Sequence, residues 1–226
     1  MEEQVEQVIE QQVMSYSLLE MATKGGWIMI VLAILSVIAI YIFGKKLWLI
    51  TQASKIDRYF MNDIQDMLNE GKVKGALALC AKFDSPMARM VEKGIGRRDK
   101  SAQEVQTAME NAGNVEIARI EKGLSGLASI AGGAPMIGFL GTVTGMIKAF
   151  FNMANSGNNV DITQLSGGIY EAMVTTVGGL IVGIVAYFAY NFLVGRVAAL
   201  TAKMDTATMD MVDILNDLPA NVEEQE

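Results

Sequence analysis

Apolar positions along the chain form three long runs, separated by segments whose apolar residues recur at helical spacing. The first run, Gly25 to Gly44, reads GGWIMIVLAILSVIAIYIFG, twenty residues without a charge. A helix of roughly 20 such residues crosses ~30 Å of hydrocarbon. Trp27 and Tyr41 stand near its two ends, where amphipathic rings prefer the interface. A cleaved signal peptide is the competing reading. It carries its positive charge in front and small residues behind. Here Glu2, Glu3, Glu6, Glu10 and Glu20 precede the run and Lys45-Lys46 follow it, so the pattern predicts an uncleaved span. A second span is predicted over 127–151 and a third over 167–195.

The second and third runs differ from a lipid-facing helix. The second holds Pro135, Thr142, Thr144, Lys148 and a series of glycines: Gly132, Gly133, Gly138, Gly141 and Gly145, with Gly126 flanking. The third holds Glu171, Thr175, Thr176, Gly178, Gly179 and Gly183. Small residues let helix backbones approach within a membrane. Gly138, Thr142, Gly145 and Ala149 share one face of the second span. Ala172, Thr176, Gly179, Gly183 and Ala186 share one face of the third, by steps of three and four. Such faces can pack on other helices, or line a narrow passage that a further helix occupies.

Between the runs the chain is wet. Residues 1–24 place Val5, Val8, Ile9, Val13, Tyr16 and Leu19 at helical spacing, an amphipathic helix for the outer membrane surface or else a frayed polar terminus. Segment 45–126 alternates helices with breaks at Glu70-Gly71 and Asp84-Ser85-Pro86 and a loop from Gly94 to Asp99. Ser101 is the expected N-cap of a helix to Ile120, with Glu104 completing a capping box. That helix is expected to run on into the second span. Gly94-x-Gly96 lacks the third glycine and the lysine of a phosphate loop. Residues 152–166 form a short turn. In 196–226, Val197, Leu200, Met204, Ala207, Met211, Ile214, Leu215 and Leu218 extend the third helix as an apolar stripe. It should pack on the 101–120 helix or on a neighbouring subunit.

Charge then sets the orientation. Of 18 Lys and Arg, 14 lie in residues 44–126, and Arg196 and Lys203 follow the third span. By the positive-inside rule the long loop and C-terminus are cytoplasmic, and the N-terminus and the 152–166 turn lie outside. Composition narrows the class: 51% hydrophobic residues and mean hydropathy +0.31 argue for a membrane protein of all-α fold with three transmembrane helices and a cytoplasmic helical bundle. The absence of His and the single Cys80 remove the common metal-ligand sets and the usual nucleophile–base pairs. No enzyme and no cofactor are expected. A net charge of -7 gives nucleic acid no purchase.

Glu171 carries the chemistry. An ionisable residue within a span costs several kcal/mol unless paired, hydrated or neutral, and marks an ion path by default. It can instead snorkel outward or pair with Lys148. One carboxylate near one face is no complete relay across the bilayer, so proton passage would need a second membrane carboxylate from a partner. Thr142, Thr175 and Thr176 can hydrogen-bond water or that group but cannot titrate. The alternative is a structural membrane scaffold in which these faces only pack.

Three blocks carry a resemblance: Lys24-Gly-Gly-Trp-Ile-Met-Ile30, Pro135-Met-Ile-Gly-Phe-Leu-Gly-Thr-Val-Thr-Gly145, and Gly168-Ile-Tyr-Glu-Ala-Met-Val-Thr-Thr176 followed by Gly178-Gly179-Leu180. With the span order, they make the chain similar to the ExbB/TolQ/MotA proton-channel stators, the ExbB branch above all; the MotA branch has an additional span. The resemblance implies a homo-oligomeric ring, a pentamer in ExbB, around the single-span helices of an ExbD-like dimer that bear the titrating aspartate. It implies a proton-driven motor of the bacterial inner membrane, acting on a TonB-like protein to energise outer-membrane nutrient transport. A TolQ-like, gliding or export role is the variant. Thr142 and Thr176 match the family's pore threonines and Glu171 its membrane glutamate. Lys148 departs, since a neutral polar residue is common there, and it stands as a possible vestibule charge.

Overall fold

The computed structural model describes residues 25–55, 59–155 and 162–217. The amphipathic helix expected before Gly25, the tip of the 152–166 turn and the tail from Leu218 lie outside these residues. The described residues form seven helices and no strand: α1 (Gly26–Ala53), α2 (Phe60–Asn69), α3 (Val73–Lys82), α4 (Pro86–Ile95), α5 (Ala102–Glu121), α6 (Leu124–Asn155) and α7 (Ile162–Asp217). Helices α1, α6 and α7 are long and apolar enough to cross a membrane. The chain divides into two compact units.

The first unit comprises the start of α1, most of α6 and the first half of α7, with residues 25–39 and 128–187. Ile28 and Leu32 of α1 are buried, one turn apart. An added Cβ at Gly178 would stand 2.9 Å from Met29 Sδ, so α1 lies close on this side of α7. Most other large apolar side chains of the unit are exposed, among them Ile30, Val37, Phe139, Ile147, Ile184 and Val185. Water would not tolerate such a surface, and lipid would.

The second unit holds residues 40–55, 59–127 and 188–217. Phe60, Ile64 and Leu68 bury one face of α2, and Phe60 meets Phe83 edge-on with centroids 5.6 Å apart. Ser85 caps α4, accepting from the Ala88 N–H at 3.1 Å, with Pro86 at the first helical position where its missing N–H does no harm. Ser101 caps α5, accepting from the Glu104 N–H at 3.3 Å. The expected return bond of the capping box is replaced, since the Ser101 hydroxyl donates to Glu104 Oε1 at 3.2 Å.

Helix α5 does not run on into α6. Lys122 turns extended (ψ 115°) and Gly123 takes φ +96°, a conformation that glycine adopts without strain. The Ile120 carbonyl freed near this end accepts from Lys46 Nζ at 2.8 Å. Helix α7, by contrast, continues without interruption for 56 residues, about 84 Å at the α-helical rise. Its stripe Val197, Leu200, Met204, Ala207, Met211 and Ile214 is buried, while Leu215 is only partly so. It packs within the chain: an added Cβ at Gly113 of α5 would lie 3.4 Å from Met204 Cε, and Thr208 Oγ1 stands 3.6 Å from Met90 Sδ of α4. Gly94 is likewise a packing residue, since a Cβ there would stand 2.9 Å from Met109 Cγ. Cys80 is buried among these helices, and desolvation first, then the nearby Glu92 charge, pushes its thiol up to about 11.

Candidate functional site

The small residues of α6 and α7 form a seam in which backbones touch. An added Cβ at Gly138 would lie 2.8 Å from the Thr175 carbonyl oxygen and 3.0 Å from Gly179 Cα. One at Gly179 would lie 2.6 Å from the Ala134 oxygen, and one at Gly145 would lie 2.9 Å from Ala172 Cβ. Ala149 fills the space over Gly168, where a Cβ would come within 2.7 Å of its own. Pro135 removes the N–H that would bond the Ala131 carbonyl. Its ring packs on Gly183, where a Cβ would lie 2.5 Å from Pro135 Cγ and 3.1 Å from that carbonyl. Ala186 is buried as well. Gly138, Gly145, Ala149, Ala172, Gly179, Gly183 and Ala186, which the sequence places on faces for packing or for lining a passage, are all buried.

Gly141 completes the buried row of α6, Ala134, Gly138, Gly141, Gly145 and Ala149. Sequence spacing put Thr142 in that row instead. Adjacent residues of a helix stand about 100° apart, and both choices fit steps of three and four. A Cβ at Gly141 would collide with the Thr175 side chain.

The three threonines therefore part company. Thr175 is buried, 2% exposed, and donates to the Ala172 carbonyl at 2.7 Å. Its hydroxyl is spent inside the seam. Thr176, one residue on, is half-exposed and donates across the seam to the Gly138 carbonyl at 3.1 Å. The Gly138 carbonyl that Thr176 binds lies one turn before Thr142, so Thr176 meets the turn of α6 that leads to Thr142. Thr142 is half-exposed and donates to the Phe139 carbonyl at 2.6 Å.

Glu171 lies near the start of the third apolar stretch. Its Oε2 stands 3.6 Å from Lys148 Nζ, an ion pair whose lysine is 67% exposed and whose glutamate is 31% exposed. Of the alternatives that the sequence leaves open for Glu171, the pairing with Lys148 is the one present. The carboxylate also lies over Gly26, the first residue of α1, where an added Cβ would collide with Oε1 and where φ is +63°. The glycine before Trp27 thus leaves room for the glutamate, a relation between residues 145 positions apart that spacing does not reveal.

A second ionic cluster, in the other unit, escaped the sequence reading. Arg89 Nη2 of α4 donates to Glu116 Oε2 of α5 at 2.6 Å, and Nη1 pairs with Asp84. Arg119 Nη1 reaches Glu116 Oε1 at 3.4 Å. The Glu116 hydrogen bond is the main reason the Arg89 guanidinium is held above its ordinary value.

A membrane unit of three apolar helices, close-packed by glycine and alanine and bearing threonines on one open edge with a carboxylate near one end, suits a channel component. The comparisons with known proteins agree. The model of the MotA/TolQ/ExbB proton channel family matches residues 82–206, and the chain belongs to this family. It is 33% identical over 187 residues to an ExbB homologue in biopolymer transport from Methanothermobacter thermautotrophicus, covering 80% of this chain and 64% of that one. It is 31% identical over 179 residues to a biopolymer transport ExbB-like protein of Synechocystis, covering 78% and 70%. Against the biopolymer transport protein ExbB of Neisseria gonorrhoeae it is 32% identical over 148 residues, covering 59% and 67%.

Proposed function

We propose that this chain is the ring-forming stator subunit of an ExbB-like motor in a bacterial inner membrane. Its N-terminus faces the periplasm, and its 45–126 segment and C-terminus face the cytoplasm. Copies of the chain, five by analogy with ExbB, surround the membrane helices of an ExbD-like dimer. The threonine edge of each copy faces the axis, and a carboxylate of the companion helix meets Thr142 and Thr176 there. A proton moving across ~100 mV releases about 2.3 kcal/mol. Protonation and release of the companion's carboxylate convert that energy into movement against the ring, which passes to a TonB-like protein and drives outer-membrane nutrient transport.

The observation that carries this reading is the separation of Thr176 from Thr175. One hydroxyl is sealed in the seam, and the next, half-exposed, reaches the Gly138 carbonyl one turn before the half-exposed Thr142. The Glu171–Lys148 pair supports it as a charged vestibule near the outer end, where it conditions access to the passage. The seam and the Thr176 bond across it would equally serve a scaffold, but a scaffold gives the half-exposed Thr142 no task.

The double variant Thr142→Val, Thr176→Val tests the proposal. Valine keeps the shape and deletes both hydroxyls; it leaves the glycine and alanine contacts of the seam in place and gives up the single Thr176 bond to the Gly138 carbonyl. The complex is expected to assemble at normal size. Proton flux through it in vesicles under an imposed potential, read with a pH-sensitive dye, is expected to fall about tenfold or more, a barrier rise of about 1.4 kcal/mol. Unchanged flux in the assembled variant would remove the passage.

A further inference from the structure

We propose that Thr142 and Thr176 act on the companion's carboxyl group as hydrogen-bond acceptors, and so select its protonated, uncharged form. The inference rests on the passage proposed above and adds the polarity of the contact. A threonine hydroxyl has one proton to donate and two lone pairs to accept with. Both protons are committed within the chain, that of Thr142 to the Phe139 carbonyl at 2.6 Å and that of Thr176 to the Gly138 carbonyl at 3.1 Å. The second bond also ties α6 to α7, so releasing its proton would loosen the seam at its closest approach. What remains on the open edge is lone pairs.

An ionised carboxylate offers only acceptors and meets acceptors there. A carboxylic acid offers one O–H and finds a partner for it. A hydrogen bond to the neutral form of an acid raises its pKa, and one to the charged form lowers it. The ring edge therefore holds the neutral acid and lets the ionised form go. The companion's carboxylate takes its proton from water on the outer side and returns it to water on the inner side. The threonines neither gain nor lose one.

The sign of a pKa change decides the matter. Dicyclohexylcarbodiimide reacts with protonated carboxyl groups in apolar surroundings, so its labelling of the companion subunit in the purified complex, followed against pH, gives that group's midpoint. Thr176→Val and Thr142→Val are each expected to lower the midpoint by about half to one pH unit, the worth of one neutral hydrogen bond. Thr176→Ser and Thr142→Ser are expected to restore it. Loss of a polar group from an apolar site would by itself raise a carboxyl midpoint, so a fall is not a generic effect of valine. A midpoint that rises or stays put overturns the acceptor assignment and leaves the passage standing. An assembled complex that contains no labelled single-span companion overturns the passage itself, and the inference with it.

Discussion

Gly138→Val is expected to abolish the folded membrane unit, with little or no assembled complex recovered from membranes. The three atoms nearest the missing side chain are all backbone: the Thr175 oxygen at 2.8 Å, Gly179 Cα at 3.0 Å and Thr176 Cα at 3.2 Å from an added Cβ. None can rotate away as a side chain end would. Even one methyl group must push α6 from α7, and valine brings three carbons. Overpacking of a well-filled core costs about 1–3 kcal/mol when side chains can yield, so about 3 kcal/mol or more is expected where they cannot. The displacement also breaks the Thr176 bond to the Gly138 carbonyl. Gly133→Ala is the control, since nothing stands within 4 Å of that position. Size-exclusion profiles of the two variants check the expectation, and a normal profile for Gly138→Val would refute the seam.

Arg89→Ala is expected to destabilise the second unit by about 2–3 kcal/mol. The Glu116 side chain is only 10% exposed and relies on the guanidinium for its shortest bond. Removing one partner of a buried pair costs about 3–5 kcal/mol, because the other charge stays behind. Arg89 is itself 37% exposed, so water replaces part of what is lost and reduces the cost to about 2–3 kcal/mol. Asp84, at 92% exposed, adds little. The expected fall in melting temperature is about 5–10 °C. Asp84→Ala should shift it by no more than ~2 °C, and equal shifts for the two would deny the Glu116 pair its role.

The legible parts of this chain are those that local pattern dictates. Three long apolar runs announce three long helices, Asp84-Ser85-Pro86 announces a break, and Ser101 announces the helix start it caps. The small residues at steps of three and four announce a close-packed face. They do not announce its rotation: whether Gly141 or Thr142 points inward turns on about 100°, and a period of 3.6 accepts both. Placing Thr142 on the open edge required the neighbouring helix. The break at Gly123 was also missed, because the apolar pattern of α5 and α6 continues past a glycine whose positive φ only the folded chain displays. Arg89 with Glu116, and Gly26 with Glu171, join residues far apart in sequence, so nothing local could pair them. Glu171 with Lys148 was within reach, since both are rare charges near the ends of adjoining spans.

The central claim, that the threonine edge of α6 and α7 faces a foreign helix bearing an acid group, is tested most directly by an image of the particle extracted with its native companions. The account predicts helical density on the axis, from a different polypeptide, with a carboxylate side chain level with Thr142 and Thr176. An axis closed by the chain's own side chains, or filled by lipid alone with the threonines turned outward, would contradict it.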